Sequence, residues 1–424
     1  MSTSQSTPKL TTREVWQSTP VRRLLIANGI LYSGIALQST ALLKQAYDIT
    51  GRKSDLGWMG LSEFIPIFAL VLVTGSVADH FKRKTIAMIT VGAEVFTSAG
   101  LMFYALSKPT SVMPLFMIAF TFGIARAFQA PAMRSMPPMV APDGALPKVI
   151  ALYSATWTGA IIVGPAIGGF LYAANPWIAY AGSTALIFGS WLVLSTQTFV
   201  REPLPPDPDT RPTMRTAVEG LVFIRRTPVL LAAIALDLFA VLFGGAVALI
   251  PVIAKDRLGV GDVAYGWLRA APGFGAAGMA LVMAARPVRR HVGKTLLTVV
   301  GMFGVGTVLL GITRNYALAF AALVVLSAAD LVSVFIRSSL VPLLTPDEKR
   351  GRVLAVESVF VGASNELGAF ESGMVAQAVG TQATVIGGGV ATLAIVGIWW
   401  FAFPSLRSID RFEDLAHSGS TEPQ

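Results

Sequence analysis

The chain has 424 residues, of which 54% are apolar and only 13% charged, with 40 glycines and no cysteine. So little polar side chain cannot cover a water-soluble body of this length, and the composition places the chain in a membrane. The net charge of +9 then reflects loop topology and contact with anionic lipid rather than nucleic-acid binding, and the lack of cysteine excludes disulfides and thiolate metal sites.

About 20 apolar residues cross the hydrocarbon core as a helix. Runs of that kind lie at 24–47, 56–78, 85–106, 112–133, 148–173, 176–199, 229–253, 263–285, 295–312, 316–336, 353–377 and 382–403. They predict an all-α protein of twelve transmembrane helices. The first run is too long, and too poor in small residues at its end, for a cleavable signal peptide. Ahead of it, 1–21 reads as a polar N-terminal segment. The first span carries Asn28, Tyr32 and Gln38, and the fifth carries Trp157, all candidates to line a cavity. Glu63 lies in the second span, three residues before Pro66. Between the second and third spans, Gly75-Ser-Val-Ala-Asp79-His-Phe-Lys-Arg83-Lys84 sets fixed charges of both signs in a tight turn.

Further along, Arg126-Ala-Phe-Gln129-Ala130-Pro131 puts a guanidinium midway through the fourth span, and Gly164-Pro165-Ala-Ile-Gly168-Gly169 breaks the fifth with small residues suited to close helix approach. Residues 201–213 hold five prolines and cannot be regular helix. They read as a linker between a six-helix half at 22–200 and another at 228–404. The linker, 201–227, ends in Met214, Ala217, Val218, Leu221 and Val222 at helical spacing among arginines, an amphipathic helix on the inner leaflet or an extension of the seventh span. Asp237 lies in the seventh span, Arg269 in the eighth three residues before Pro272, Asp330 in the tenth, and Glu366 and Glu371 in the eleventh; Glu94 in the third is the one most easily read as structural. Residues 405–424 form a polar tail.

The two halves repeat at one constant offset: Pro138, Pro142 and Asp143 recur as Pro342, Pro346 and Asp347, and Gly164 and Gly169 as Gly368 and Gly373. At that offset Arg126 falls on Asp330; Glu63 corresponds to Arg269 only when a small gap aligns Pro66 with Pro272, and both pairs then carry opposite charges. Ionisable groups at mid-membrane are costly and face a cavity or a partner. A carboxylate that exchanges an arginine for a proton or an anionic substrate would link protonation to conformation; a fixed structural ion pair is the competing reading. In the second half the turn matching Gly75–Lys84 is Arg286-Pro-Val-Arg-Arg-His-Val-Gly-Lys294, basic but without the Asp. Its Gly293-Lys294-Thr295 is not a phosphate loop, because Val288 stands where the first glycine would be.

The Gly75–Lys84 stretch resembles the G-x-x-x-D-x-x-x-R-K/R signature of major facilitator superfamily transporters, with Lys82 where that family has Gly. Arg126-x-x-Gln129 resembles the superfamily's fourth-helix element associated with proton coupling, and Gly164–Gly169 resembles the G-P-x-x-G-G element of drug and proton antiporters, with Ala160 replacing an earlier Gly. Asp48-Ile-Thr-Gly51, Phe64-Ile-Pro66 and Ala130-Pro131-Ala132 are most similar to the branch of the enterobactin exporter and macrolide efflux proteins. The resemblance implies the major facilitator fold, a gate at Gly75, Asp79, Arg83 and Lys84, hinge packing at Gly164, Pro165, Gly168 and Gly169, and coupling or binding roles for Arg126, Gln129, Asp237, Asp330 and Glu366, with Glu63 and Arg269 a second charge pair.

Placing both termini in the cytoplasm puts most of the 33 Lys and Arg inside, including Lys82, Arg83, Lys84, Arg225, Arg226, Arg289, Arg290 and Arg337, while Lys44, Arg52, Lys53, Lys108, Lys255, Arg257 and Arg314 lie outside. The expected activity is proton-coupled export of a siderophore or lipophilic drug from the bacterial inner membrane, by a monomer needing no cofactor beyond the proton gradient. An importer of the same fold and a non-transporting receptor are the alternatives. An enzyme is disfavoured, since His80, His291 and His417 all fall at or beyond span ends and form no metal or triad constellation. If Asp79 is the gate carboxylate, Asp79→Asn will cripple transport while membrane insertion stays intact, and a normal transport rate in well-expressed Asp79→Asn protein would remove that role.

Overall fold

The computed structural model describes residues 11–200 and 214–413. Every regular element among them is helical: α1 Thr12–Gln17, α2 Thr19–Thr50, α3 Ser54–His80, α4 Arg83–Leu106, α5 Met113–Arg134, α6 Pro137–Val140, α7 Leu146–Ala174, α8 Pro176–Ser195, α9 Met214–Arg226, α10 Pro228–Phe243, α11 Ile250–Val252, α12 Asp262–Ala285, α13 Val292–Ile312, α14 Tyr316–Leu344, α15 Asp347–Val379, α16 Thr381–Ala402 and α17 Pro404–Arg407. Proline sits in the first turn of α5, α7, α8 and α10, where a missing N–H costs nothing. Among the described residues, twelve helices are long and apolar enough to cross a membrane. Their outer surface agrees: Phe96 is 80% exposed and Phe401 81%, with Ile89, Phe170 and Leu281 bare beside them. Such a surface is covered by lipid rather than by more protein.

Two compact units divide the chain, Met1–Gln45 with Ile65–Arg211 and Ala46–Phe64 with Pro212–Gln424. The end of α2 and the start of α3 therefore go with the second unit, where the Lys53 N–H donates to Gln377 Oε1 at 2.8 Å, Lys255 pairs with Asp48 at 2.7 Å and Trp58 packs edge-on against Phe370. Inside the first unit, α2, α4, α5, α7 and α8 share one apolar cluster running from Leu24 and Leu31 to Met133 and Ile187. Inside the second, α10, α13, α14 and α16 share another around Leu236, Leu296 and Ile336. The linker residues 201–213 lie outside the described ones. Helix α9 rests on α15 through Gly220 and an Arg352–Glu219 pair at 2.5 Å, buries Ile224, and leaves Val218, Leu221 and Val222 exposed.

The seventh span is not the continuous helix that its apolar run from 229 to 253 suggests. It stops at Phe243, passes Gly244 and Gly245, and resumes as a 3₁₀ turn at Ala246–Leu249, α11, and a π turn at Ile253–Arg257. The break is closely packed: a side chain on Gly245 would overlap the Gly368 carbonyl, and one on Gly244 the Phe303 ring. Backbone approach at these glycines gives a tighter interface than any larger residue permits.

The repeat appears as packing. A Cβ on Gly164 of α7 would lie 2.6 Å from the Ser33 oxygen of α2, and one on its repeat partner Gly368 of α15 would lie 2.7 Å from the Val241 oxygen of α10. In each unit the fifth span thus presses its glycine on the backbone of the first. Gly159, on the same helix as Gly164, has open space where its Cβ would be. Gly164→Ala is therefore expected to cost about 1–3 kcal/mol by overpacking and to lower the detergent-solubilised protein's melting temperature, whereas Gly159→Ala leaves it unchanged or raised. Equal melting temperatures for the two variants would mean that α2 and α7 separate without penalty.

Candidate functional site

Two carboxylates and one guanidinium meet in the interior of the second unit. Asp237 of α10 and Arg337 of α14 are 5% and 3% exposed, and Arg337 Nη2 lies 2.6 Å from Asp237 Oδ1. Arg337 Nε also donates to Ser333 Oγ at 3.4 Å. Asp330 lies on α14 two turns before Arg337, so the face that carries Asp330, Ser333 and Arg337 is one stripe of a single helix. Asp237, Asp330 and Ser333 line a cavity of about 10 Å³, with Ala240 and Val241 from α10 and Phe303 from α13. That is room for about one water molecule. The cavity lies against the last turns of α10, directly before the Gly244–Gly245 break.

Arg337 is the residue that sequence reasoning missed. Counting it among the inner-loop arginines followed from ending the tenth span at 336, but α14 continues to Leu344 and keeps Arg337 inside. The available signal was its seven-residue spacing from Asp330, which returns to the same helix face after two turns. Asp330 thus shares its cavity wall with an ion pair of its own unit, and an arginine from the other half is not needed to account for a carboxylate at that depth.

The remaining candidates are distributed as follows. In the first unit, Arg126 is half-buried on α5 and Gln129, one turn later, is fully buried. The Gln129 amide, Asn28 Oδ1 and the Tyr153 hydroxyl are buried polar atoms with no hydrogen-bond partner among the described residues, although Asn28 Nδ2 donates to Thr156 Oγ1 at 2.8 Å. Tyr32 is half-buried, and Trp157 is exposed on α7. Gln38 is instead held in a buried network: its Oε1 accepts from Ser183 Oγ at 3.3 Å, and Ser183 also accepts from Ser98 Oγ at 3.1 Å. In the second unit, Glu63 and Arg269 are both half-buried, and the Glu366 carboxylate lies over Gly60, where a Cβ would come within 2.7 Å of Oε2. The side chains of Gly75 and Asp79 lie outside the described residues. Lys84 of the same motif donates to the carbonyls of Ser195 and Gln197, both at 2.8 Å.

Twelve spans in two repeat-related units are the architecture of the major facilitator fold. The chain belongs to the transmembrane secretion effector family, which it matches over residues 22–422. It is 24% identical over 372 residues to the multidrug efflux pump Tap of Mycolicibacterium fortuitum, covering 85% of this chain and 90% of that one. It is 26% identical over 363 residues to Tap of Mycobacterium tuberculosis strain H37Rv, covering 82% and 84%. With the uncharacterized MFS-type transporter YfiS of Bacillus subtilis it shares 26% over 282 residues, 64% of this chain and only 63% of that protein. In fold it is similar to a bacterial homolog of the lysosomal transporter Spinster, with TM-score 0.67, 15% identity and coverage of 96% and 99%, and to a D-xylose-proton symporter, with TM-score 0.68, 14% identity and coverage of 91% and 98%.

Truncating one member of a buried ion pair leaves the other uncompensated, a loss of about 3–5 kcal/mol where the pair is dry. Arg337→Ala and Asp237→Ala are each expected to reduce thermal stability by that order, and the double variant to be more stable than either single one. Strictly additive losses in that cycle would show that the two charges do not hold each other.

Proposed function

We propose that the chain is a proton-coupled exporter of lipophilic small molecules, acting as a monomer in the bacterial inner membrane with both termini in the cytoplasm. The observation that carries this reading is the cluster of Asp237, Asp330 and Arg337 around a one-water cavity beside the broken seventh span. Asp237, Asp330 and the nearby Glu357 of α15 outnumber the one base, Arg337, so the cluster carries excess negative charge where charge is expensive, and a bound proton reduces it. Broken helices in transporters mark places where a site opens and closes. In this reading Asp330 takes and releases the proton, while Asp237 stays paired with Arg337.

Substrate contact falls to the polar groups of the first unit, Arg126, Gln129, Asn28 and Tyr32, with Trp157 as an aromatic wall. Asp79, Arg83 and Lys84 gate the inner side, and Glu63, Arg269 and Glu366 serve the outer. Lipophilic drugs are favoured because relatives matched along most of their length are named multidrug efflux pumps. A siderophore is the second reading, favoured by the short elements Asp48–Gly51, Phe64–Pro66 and Ala130–Ala132 that resemble the enterobactin exporter branch.

The test loads cells with ethidium or with an iron-free siderophore and follows efflux with and without a proton gradient. Wild-type cells are expected to expel ethidium uphill, Asp330→Asn cells to lose uphill efflux yet retain downhill exchange. Efflux in Asp330→Asn that keeps its full dependence on the gradient would overturn the proton assignment. Inward accumulation by the wild type would make the chain an importer, and siderophore efflux without ethidium efflux would select the second substrate class.

A further inference from the structure

The basic turn before α13 has no carboxylate of its own, although its counterpart before α4 has Asp79. The fold brings one there from the far end of the chain. After α16 the backbone turns through α17, and Asp410 meets the start of α13. Its Oδ1 accepts from the His291 backbone N–H at 3.0 Å and lies 2.9 Å from His291 Nδ1; its Oδ2 lies 3.4 Å from Arg290 Nε and 3.8 Å from Arg411 Nε. The main-chain oxygens of Asp410 and Ile409 accept from the N–H groups of Val292 at 3.2 Å and Gly293 at 3.1 Å. These are the donors that the first turn of a helix leaves unsatisfied. His291, left-handed at φ 56°, offers no side-chain cap of its own, so the tail does what a local N-cap residue does elsewhere.

Three other features hold the tail in this position. Leu406 and Ile409 are buried in the apolar cluster of Val292, Leu296 and Ile336, and Phe412 packs edge-on to Phe335. Gly293 is required by the contact itself, because a Cβ there would overlap the Leu406 carbonyl. The Asp410 carboxyl is held below its ordinary range, first by the His291 backbone N–H and then by the charges of Arg290 and His291.

An equivalent junction exists in the first unit. There the chain leaving α8 is pinned to the start of α4 by the Lys84 bonds to Ser195 and Gln197. In both units, then, the segment that follows the sixth span is fastened to the first turn of the third. We propose that the tail over 404–412 is a working part of the transporter, with Asp410 as the positioning carboxylate that the turn at 286–291 lacks, and that turnover requires the tail to be docked. It acts through Arg290, His291 and the start of α13 and touches no substrate.

Because the chain has no cysteine, Ile409→Cys provides a single thiol whose reaction with a charged maleimide reports undocking. The full-length protein in detergent is labelled, and ethidium efflux from cells is measured for the same variants. Asp410→Asn and Gly293→Ala, by independent routes, are expected to speed labelling about tenfold, the loss of charge-assisted bonds being worth at least one decade in the docking equilibrium. Both should lower the maximal efflux rate without changing the ethidium concentration at half-maximal rate or the amount of inserted protein, and Asp410→Glu should restore the rate. Unchanged labelling in Asp410→Asn, whatever Gly293→Ala does, would overturn the docking role of Asp410, and wild-type efflux from a variant whose tail is released would overturn its part in transport. If the wild type itself moves no ethidium, only the drug-export reading suffers, and the labelling rates still decide whether Asp410 holds the tail.

Discussion

Facing lipid, a spanning segment has no water to satisfy its backbone, so its N–H and C=O groups must be paired by the chain itself. Most of the architecture answers to that constraint. The spans are helices because a helix pairs its own backbone, and where the pairing runs out at a helix end, distant parts of the chain complete it. Helix α13 is the clearest instance. Its N-terminal donors receive the oxygens of Ile409 and Asp410, and its C-terminal carbonyls at Gly311, Ile312 and Thr313 receive the guanidinium of Arg257. An anion at the positive end and a cation at the negative end also oppose the helix macrodipole at both termini.

The same constraint ranks the charges. Near-complete burial of Arg337 is offset by Asp237, which faces its Nη2, and by Ser333, which accepts from its Nε. Asp330 is the member of the cluster with no hydrogen bond to Arg337, and it faces a space large enough for water. Protonating Asp237 would break the bond that makes Arg337 bearable in hydrocarbon, which is why the proposed exporter mechanism gives the proton to Asp330.

Much of this was legible in the sequence, for physical reasons. Twelve spans follow from apolar length alone, and the repeat follows from prolines and glycines whose backbone roles recur, as Gly164 and Gly368 do. Asp237 and Asp330 are conspicuous because charges in apolar runs are rare. Arg337 was hidden by its place near a span end, where positive residues are expected anyway. The break at Gly244–Gly245 was hidden for another reason: glycines are common in spans, and the close contact of Gly245 with the backbone of α15 is one that no local window contains. The partnership of Asp410 with Arg290 and His291 joins residues more than a hundred positions apart, beyond the reach of periodicity or spacing.

The two units also show how a duplicated architecture departs from symmetry without losing it. In the first, the chain leaving the sixth span must go on into the linker, so a side chain, Lys84, reaches out to bind its carbonyls. In the second the backbone itself lies against the start of α13, through the oxygens of Ile409 and Asp410. That closer contact needs glycine at 293, which accounts for the Gly-Lys-Thr that superficially looks like the end of a phosphate loop. It also removes the need for a carboxylate within the turn, since the tail delivers one.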